Sequence, residues 1–144
     1  MARFSSREEV YSAPLNVAVY NGAYPDSATF LAKFLSIGTE WKITPFFSFA
    51  QLETALSQGF DVIVTHRHTE HGSDDYDKPL SLKRLVGRKC VVAVTWESRD
   101  EEALVKLEEC FDVVLRIPDD MRFPSRDTGP RSRIAEAVMF ANSE

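Results

Sequence analysis

The sequence has few cysteines and no long apolar run, and each of these absences excludes a class of protein. Its 144 residues include two cysteines, Cys90 and Cys110, whose apolar surroundings are typical of buried, reduced thiols rather than of a disulfide framework. No apolar run approaches the ~18 residues that a membrane span requires. Residues 1–9 also lack an apolar stretch of signal-peptide length. We therefore expect a soluble, cytoplasmic protein without a membrane partner.

An excess of positive charge is absent as well. The formal net charge is −5, which argues against nucleic acid as a partner. Glycine is scarce, and Gly22 stands alone after the first apolar run, so a glycine-rich phosphate-binding loop is excluded. Hydrophobic residues make up 44% of the chain, enough for the core of one domain. We predict a flexible N-terminal arm over residues 1–14, with room for a short helix, and one domain over residues 15–144.

Short apolar runs alternate with segments whose apolar residues recur at helical spacing, as expected of β–α units. The predicted strands cover residues 15–20, 42–47, 60–64, 90–95 and 113–115. Parallel neighbours need crossover helices, so five such units predict an α/β fold, a doubly wound parallel sheet with helices on both faces. Pro45 cannot donate a ladder hydrogen bond, which assigns the second strand to an edge. The expected strand order is 2-1-3-4-5.

All three histidines of the chain lie directly after the third predicted strand. Imidazole is the most common metal ligand in proteins. His66, His68 and His71, with Glu70 and nearby aspartates, form a candidate site for Zn²⁺ or Ni²⁺. Histidines in a surface loop are more often simply solvated. Two interpretations therefore stay open, a metal site and a polar loop without a ligand.

Polar residues stand where four of the predicted strands end, and the carboxyl ends of parallel strands meet at one edge of a sheet. These residues are Asn21, His66, Thr95 and Arg116. Together with the order of the elements, they resemble receiver domains of the response-regulator family over roughly residues 15–142. The resemblance implies the five-stranded, flavodoxin-like fold of that family.

Receivers carry an acidic pair after the first strand, a phosphoacceptor aspartate at the third, Thr or Ser at the fourth and Lys at the fifth. In the present chain Asn21 replaces the acidic pair and His66 replaces the phosphoacceptor. Thr95 matches the hydroxyl position, and Arg116 approximates the lysine, which in receivers is usually followed by Pro, although Ile117 intervenes here before Pro118. Residues 26–30 resemble the start of the first helix of a receiver. If residues 21–25 are an insertion, Asp26 could still point into the pocket.

These departures have chemical consequences. Aspartyl phosphorylation needs a carboxylate nucleophile and acidic ligands for Mg²⁺, which His66 and Asn21 do not supply. The resemblance therefore implies a degenerate receiver, a phosphorylation-independent regulatory module of signal transduction. Such a module is not an enzyme, needs no cofactor and acts by binding a protein partner. Receivers often pair through the face of the family's fourth and fifth helices and fifth strand, so a homodimer is a further expectation.

The histidine loop supports a rival hypothesis. Residues 65–71 are similar to the T-H-x-H-x-D-H signature of metallo-β-lactamase-fold hydrolases, with Glu70 in place of the aspartate. That family needs further histidine ligands, and no histidine follows His71. Its fold is also longer, and it begins with β-hairpins rather than β–α units. The alternative function that remains is a small metal-binding protein or a metal-dependent hydrolase that uses this loop.

A second candidate site lies near the end of the fifth predicted strand, where arginines gather on an otherwise acidic chain. Tryptophan beside arginine is a composition typical of protein-binding surfaces. We therefore predict an interaction patch that comprises Trp96, Arg122, Arg126 and Arg131. The competing interpretation is a buried tryptophan and scattered, solvated arginines.

Overall fold

The sheet has the predicted order. The computed structural model describes residues 4–21, 25–66, 90–96, 105, 108–109, 111–117 and 129–141, and for six of these (25, 66, 95, 96, 117 and 141) it describes the backbone only. The strands are β1 (Asn16–Tyr20), β2 (Lys42–Phe46), β3 (Val62–His66), β4 (Cys90–Trp96) and β5 (Val113–Ile117). All neighbours are parallel, in the order β2-β1-β3-β4-β5. The prediction of a doubly wound α/β sheet is confirmed.

The burial of each strand agrees with its position in the sheet. Val62, Ile63 and Val64 of β3 are fully buried, as are Val91 to Val94 of β4, because helices cover both faces of a parallel sheet. β2 lies at an edge, and its residues are exposed or only partly buried. Pro45 pairs with Val19 in that strand, a position where its missing N–H interrupts no inner ladder.

The described helices are α1 (Arg7–Ser12), α2 (Pro25–Ser36), α3 (Phe49–Ala55) and α4 (Pro130–Ala141). Helices α1, α2 and α4 contribute to one hydrophobic cluster with alternate residues of the strands, including Val17, Val19 and Val64. Helix α3 packs on the opposite face, in a cluster with Ala18, Tyr20 and Ile63. Ser48 caps α3 by accepting a hydrogen bond from the Gln51 N–H group. The core therefore has two layers, one on each side of the sheet.

The prediction of a flexible arm is wrong for residues 4–14, although the short helix that it allowed is present. These residues contain α1, whose Val10 and Tyr11 are fully buried in the main hydrophobic cluster. The indole N–H of Trp41 donates a 2.9 Å hydrogen bond to the Val10 carbonyl oxygen, and the Tyr11 and Trp41 ring centroids lie 6.2 Å apart. The burial of two adjacent apolar side chains thus holds against the core a segment for which the sequence predicts a flexible arm.

Two aspartates set the register where strands begin. The Asp61 carboxylate accepts a hydrogen bond from the Asn16 N–H group at 2.9 Å, and the Asp61 N–H group donates to the Asn16 carbonyl at 2.8 Å. Asp112 and Val91 form the same reciprocal pair, at 2.8 and 3.0 Å. One pair joins β3 to β1 and the other joins β5 to β4, so each of these strands enters the sheet in a fixed register.

Candidate functional site

The carboxyl ends of β1, β3, β4 and β5 meet at one edge of the sheet, as the strand order requires. Tyr20 pairs with Thr65, and the residues that follow each of them are Asn21 and His66. The strand pairing continues from His66 to Val94, the residue before Thr95. The backbone therefore places the predicted site residues side by side along this edge.

Arg116 pairs in register with Thr95, at the end of β5. Its side chain is exposed. Ile117, rather than Arg116, directly precedes Pro118, and a lysine followed by proline is the pattern of the family named above. The structure thus places Arg116 at the predicted edge of the sheet, and its correspondence to the family's lysine stays a prediction.

The described side chains at the tips of β1 and β3 are buried and carry no charge. Asn21 is fully buried, and its N–H group donates a 3.2 Å hydrogen bond to the Phe46 carbonyl oxygen. Thr65 is fully buried beside it in the sheet. Because both side chains are neutral, they do not supply the carboxylate oxygens that Mg²⁺ prefers. The fit to a receiver's magnesium site is poor at these positions.

Sequence reasoning missed Tyr20, which occupies the last position of β1. Its side chain is 2% exposed, and its ring meets the Phe49 ring edge to face, with the centroids 5.7 Å apart. The Tyr20 ring therefore packs against α3, in the cluster with Ala18 and Ile63, and Tyr20 directly precedes Asn21 in the sequence. The signal that could have revealed it is a bulky aromatic residue at the end of an otherwise small, apolar strand.

Asp26 lies in the first turn of α2, and its side chain is exposed. A carboxylate is favourable there because the amino end of a helix carries partial positive charge. This local role accounts for Asp26 without a metal. Its participation in a pocket with Asn21 stays a prediction.

The prediction that Arg131 belongs to an exposed patch is wrong. Arg131 lies in the first turn of α4 and is fully buried. Its guanidinium donates a 2.8 Å hydrogen bond to the Phe34 carbonyl oxygen and lies 4.4 Å from the centroid of the Phe34 ring. Burial lowers the pKa of Arg131, and the nearby Tyr11 phenol partly opposes that effect.

The other members of the proposed patch are described less fully. Trp96 ends β4, where its backbone pairs with Ile117. Arg122 and Arg126 lie outside the described residues. An interaction patch at this edge therefore stays a prediction for Trp96, Arg122 and Arg126 alone.

The histidine loop also lies largely outside the described residues. His66 is the last residue of β3, whereas His68 and His71 are not described. Within the part of the chain that the structure describes, no three His, Cys, Asp or Glu residues are grouped as metal ligands. That observation does not bear on the loop, so the metal site remains a hypothesis from the sequence.

Comparison with known proteins locates the fold. No family model matches the sequence, and no curated protein matches it. A response regulator receiver domain protein from Clostridium thermocellum superposes with a TM-score of 0.62 at 14% identity, over 90% of this chain and 94% of the other. A pilus assembly-related protein from Burkholderia pseudomallei gives 0.61 at 16% identity, over 90% of each chain.

A response regulator from Chloroflexus aurantiacus gives a TM-score of 0.62 at 11% identity, over 92% of this chain and 100% of the other. None of the described helices is long and apolar enough to cross a membrane. At these identities the comparison establishes architecture rather than chemistry. The chain has the fold of a response-regulator receiver domain, with a parallel sheet of order 2-1-3-4-5.

Proposed function

We propose that this protein is a degenerate receiver, a cytoplasmic regulatory module that binds a protein partner and does not depend on phosphorylation. The observation that carries the proposal is the neutral, buried character of the strand tips. Tyr20, Asn21 and Thr65 line the ends of β1 and β3, and none of them is a carboxylate. Neutral side chains thus stand at the positions where a receiver that is phosphorylated has acidic ones.

The energetics of phosphoryl transfer support this proposal. The transferred phosphoryl group carries several negative charges. A site that accepts it needs a divalent cation or a fixed positive charge to neutralise them. Mg²⁺ binds through carboxylates and water in near-octahedral geometry. Asn21 offers one neutral amide oxygen in a fully buried position, which is a poor substitute for two ionised acids. Loss of the cation and loss of the nucleophile at His66 are independent obstacles to the reaction.

Phosphorylation by a small donor tests the proposal. The purified protein is incubated with Mg²⁺ and acetyl phosphate, and its intact mass is measured beside an active receiver domain in the same buffer. We expect the control to gain one phosphoryl group and this chain to gain none. A stable phosphorylated species at His66 or Asp26 would refute the proposal.

A matched variant, His66→Asp, separates the two obstacles. It restores a carboxylate at the end of β3 while Asn21 keeps the cation site neutral. We expect this variant to remain unphosphorylated as well, because the nucleophile alone does not hold Mg²⁺. Phosphorylation of His66→Asp at the rate of the active control would mean that Asn21 and Tyr20 do not impair the pocket, which contradicts the argument from the strand tips.

Zinc content tests the rival function. If the histidine loop is solvated, the protein purified without added metal contains far less than one equivalent of zinc. Its melting temperature then does not change with a chelator, since there is no metal bound to the folded state for the chelator to remove. Stoichiometric zinc that survives dialysis, and that is lost in His68→Ala, would support a metal-binding protein instead.

A further inference from the structure

Helix α1 is joined to the sheet by a short connection on the surface. The helix ends at Ser12, and β1 begins at Asn16. Between them Pro14 is exposed, and the Leu15 N–H group donates a 2.8 Å hydrogen bond to the Ala13 carbonyl oxygen. A tight turn around a proline therefore links α1 to β1.

The surface that receives α1 lies where β1 and β2 begin, at the opposite end of these strands from the strand tips described above. Two N–H groups of this surface bind the carboxyl-terminal end of α1. The Trp41 indole N–H group donates to the Val10 carbonyl oxygen at 2.9 Å, and the Glu40 N–H group donates to the Tyr11 carbonyl oxygen at 2.7 Å. The last carbonyl oxygens of a helix need partners outside it, so this surface is suited to a helix end.

Helix α1 also rests on the start of α4. The Arg7 guanidinium donates a 2.6 Å hydrogen bond to the Ser132 hydroxyl oxygen. For Arg131, the preceding residue, burial lowers the pKa and the Tyr11 phenol raises it, so the phenol and the Arg131 guanidinium are neighbours. The surface that contacts α1 is called the cradle below, and it comprises Glu40, Trp41, Arg131 and Ser132.

The contact between α1 and the cradle has the composition of an interface between two proteins. Tyr, Trp and Arg dominate the binding energy of such interfaces. Here the Tyr11 ring lies against Trp41 and beside Arg131, and each of the three side chains is 5% exposed or less. Hydrogen bonds to the backbone and to Ser132 accompany them. The cradle is therefore suited to bind a helix that belongs to another chain.

Helix α1 is weakly held in comparison with the sheet. Its six residues are too few for a helix to persist alone, and two of its side chains, Val10 and Tyr11, are buried. Docking also keeps the Arg131 guanidinium out of water, which opposes the gain from the aromatic contact. Segments with few buried anchors open locally, without unfolding of the whole domain. We therefore expect α1 to leave the cradle while the sheet stays folded.

We propose that α1 is an autoinhibitory strap, and that the cradle beneath it binds the end of a helix of a partner protein. That helix would carry an aliphatic residue followed by tyrosine in its last turn, as Val10 and Tyr11 stand in α1. The inference rests on the proposed function in that a protein partner exists. The short connection holds α1 at an effective concentration on the order of millimolar, so a partner binds only if its contacts exceed those of α1. Release of α1 would then control access to the cradle.

Hydrogen–deuterium exchange of the full chain, measured by mass spectrometry, tests whether α1 opens locally. We expect the amides of residues 6–13 to exchange at least about tenfold faster than those of residues 62–65. Equal rates would mean that α1 opens only when the whole domain unfolds.

A glycine in α1 provides a matched pair of variants for the same measurement. Glu9 is exposed, and its carboxylate contacts Ser5 rather than the cradle, so Glu9→Gly weakens the helix and leaves the buried face intact. We expect this variant to speed exchange in residues 6–13 about threefold, the usual effect of glycine in a helix, and to leave residues 62–65 unchanged. Glu53→Gly makes the same change at an exposed position of α3, and we expect it to leave residues 6–13 unchanged.

A peptide with the sequence of residues 4–14 tests whether the cradle binds a helix from another chain. The peptide carries a fluorophore, and its anisotropy is measured while the full chain is added to about 1 mM, the scale at which the tethered α1 competes. We expect saturable binding that is about threefold tighter for Glu9→Gly than for the unaltered chain, because a strap that is open more often competes less. The control peptide carries Tyr11→Ser, and we expect it not to bind.

Three results would overturn the inference. They are equal exchange rates in residues 6–13 and 62–65, peptide binding that is absent or equal for the two peptides, and self-association of the chain that Glu9→Gly strengthens. The last result would mean that a second copy of the chain, rather than a partner protein, enters the cradle. None of these results affects the acetyl phosphate experiment, so failure of the strap and failure of the degenerate-receiver proposal are distinguishable.

Discussion

Replacing Tyr11 by alanine is expected to lower the free energy of unfolding by about 3–5 kcal/mol, the usual cost of truncating a buried aromatic side chain. The Tyr11 side chain is 1% exposed and belongs to the main hydrophobic cluster. Its ring packs on Trp41, and its carbonyl oxygen accepts a 2.7 Å hydrogen bond from the Glu40 N–H group. Domains of this size are stable by only ~5–15 kcal/mol, so this single change would remove a large part of the total.

The loss would spread beyond the removed ring. Helix α1 has six residues, too few to be stable by itself, so it persists only because Val10 and Tyr11 hold it against the core. Without the Tyr11 ring, the Val10 carbonyl would also lose its position beneath the Trp41 indole, where the 2.9 Å hydrogen bond forms. A buried indole N–H without a partner costs about 1–3 kcal/mol.

Urea denaturation followed by circular dichroism measures the effect. Ser12→Ala is the matched control, because Ser12 lies next to Tyr11 in the same helix but is exposed. We expect the control to change the unfolding free energy by less than about 0.5 kcal/mol. A loss below about 1 kcal/mol in Tyr11→Ala would mean that α1 does not pack on the core in solution.

The sheet could be predicted from the sequence because its signals are local. The apolar run that ends at Val64 has the length and composition of a buried parallel strand, and Pro45 identifies an edge strand by its missing donor. The strand ends then follow from topology, which is why Asn21 and His66 were expected at the same edge. The strands and their order could therefore be predicted, because each signal lies within a few residues of the sequence.

Packing between segments that are distant in the sequence could not be predicted from local patterns. Val10 and Tyr11 are two apolar residues in a charged stretch, too few to produce a periodic signal. Their burial depends on Trp41, which lies 31 residues after Val10. Arginine is usually exposed, and the carbonyl oxygen that holds Arg131 belongs to a residue on another helix, Phe34. Such contacts become visible only when the elements are placed in space.

Replacing Arg131 by alanine is the second change with a large expected effect, a loss of about 2–4 kcal/mol. The side chain is among the largest that are fully buried, so alanine would leave a cavity between α4 and α2. The Phe34 carbonyl oxygen would keep one donor, since the Ile37 N–H group also lies 3.3 Å from it. Most of the loss would therefore come from packing, including the contact with the Phe34 ring.

Methionine at position 131 tests how much of the lost stability comes from packing and how much from the hydrogen bond. Arg131→Met retains most of the volume and removes the buried charge, whose desolvation works against the hydrogen bond and the ring contact. We expect a change of less than about 1 kcal/mol, far smaller than in Arg131→Ala. Thermal or urea unfolding of the two variants gives the comparison. Equal losses in both would mean that the charged hydrogen bond to Phe34, rather than packing, stabilises the interface between these helices.

Lysine at position 131 provides a test with a different readout, the dependence of stability on pH. A lysine in this buried site would have a pKa below its unfolded value of ~10.4, for the same reason that burial lowers the pKa of Arg131. The unfolded chain would then bind more protons than the folded one between the two pKa values, so stability must rise with pH there. We expect Arg131→Lys to gain stability relative to Arg131→Met as the pH rises toward 10, measured by urea denaturation at each pH. A constant difference would show that the introduced ammonium group reaches water.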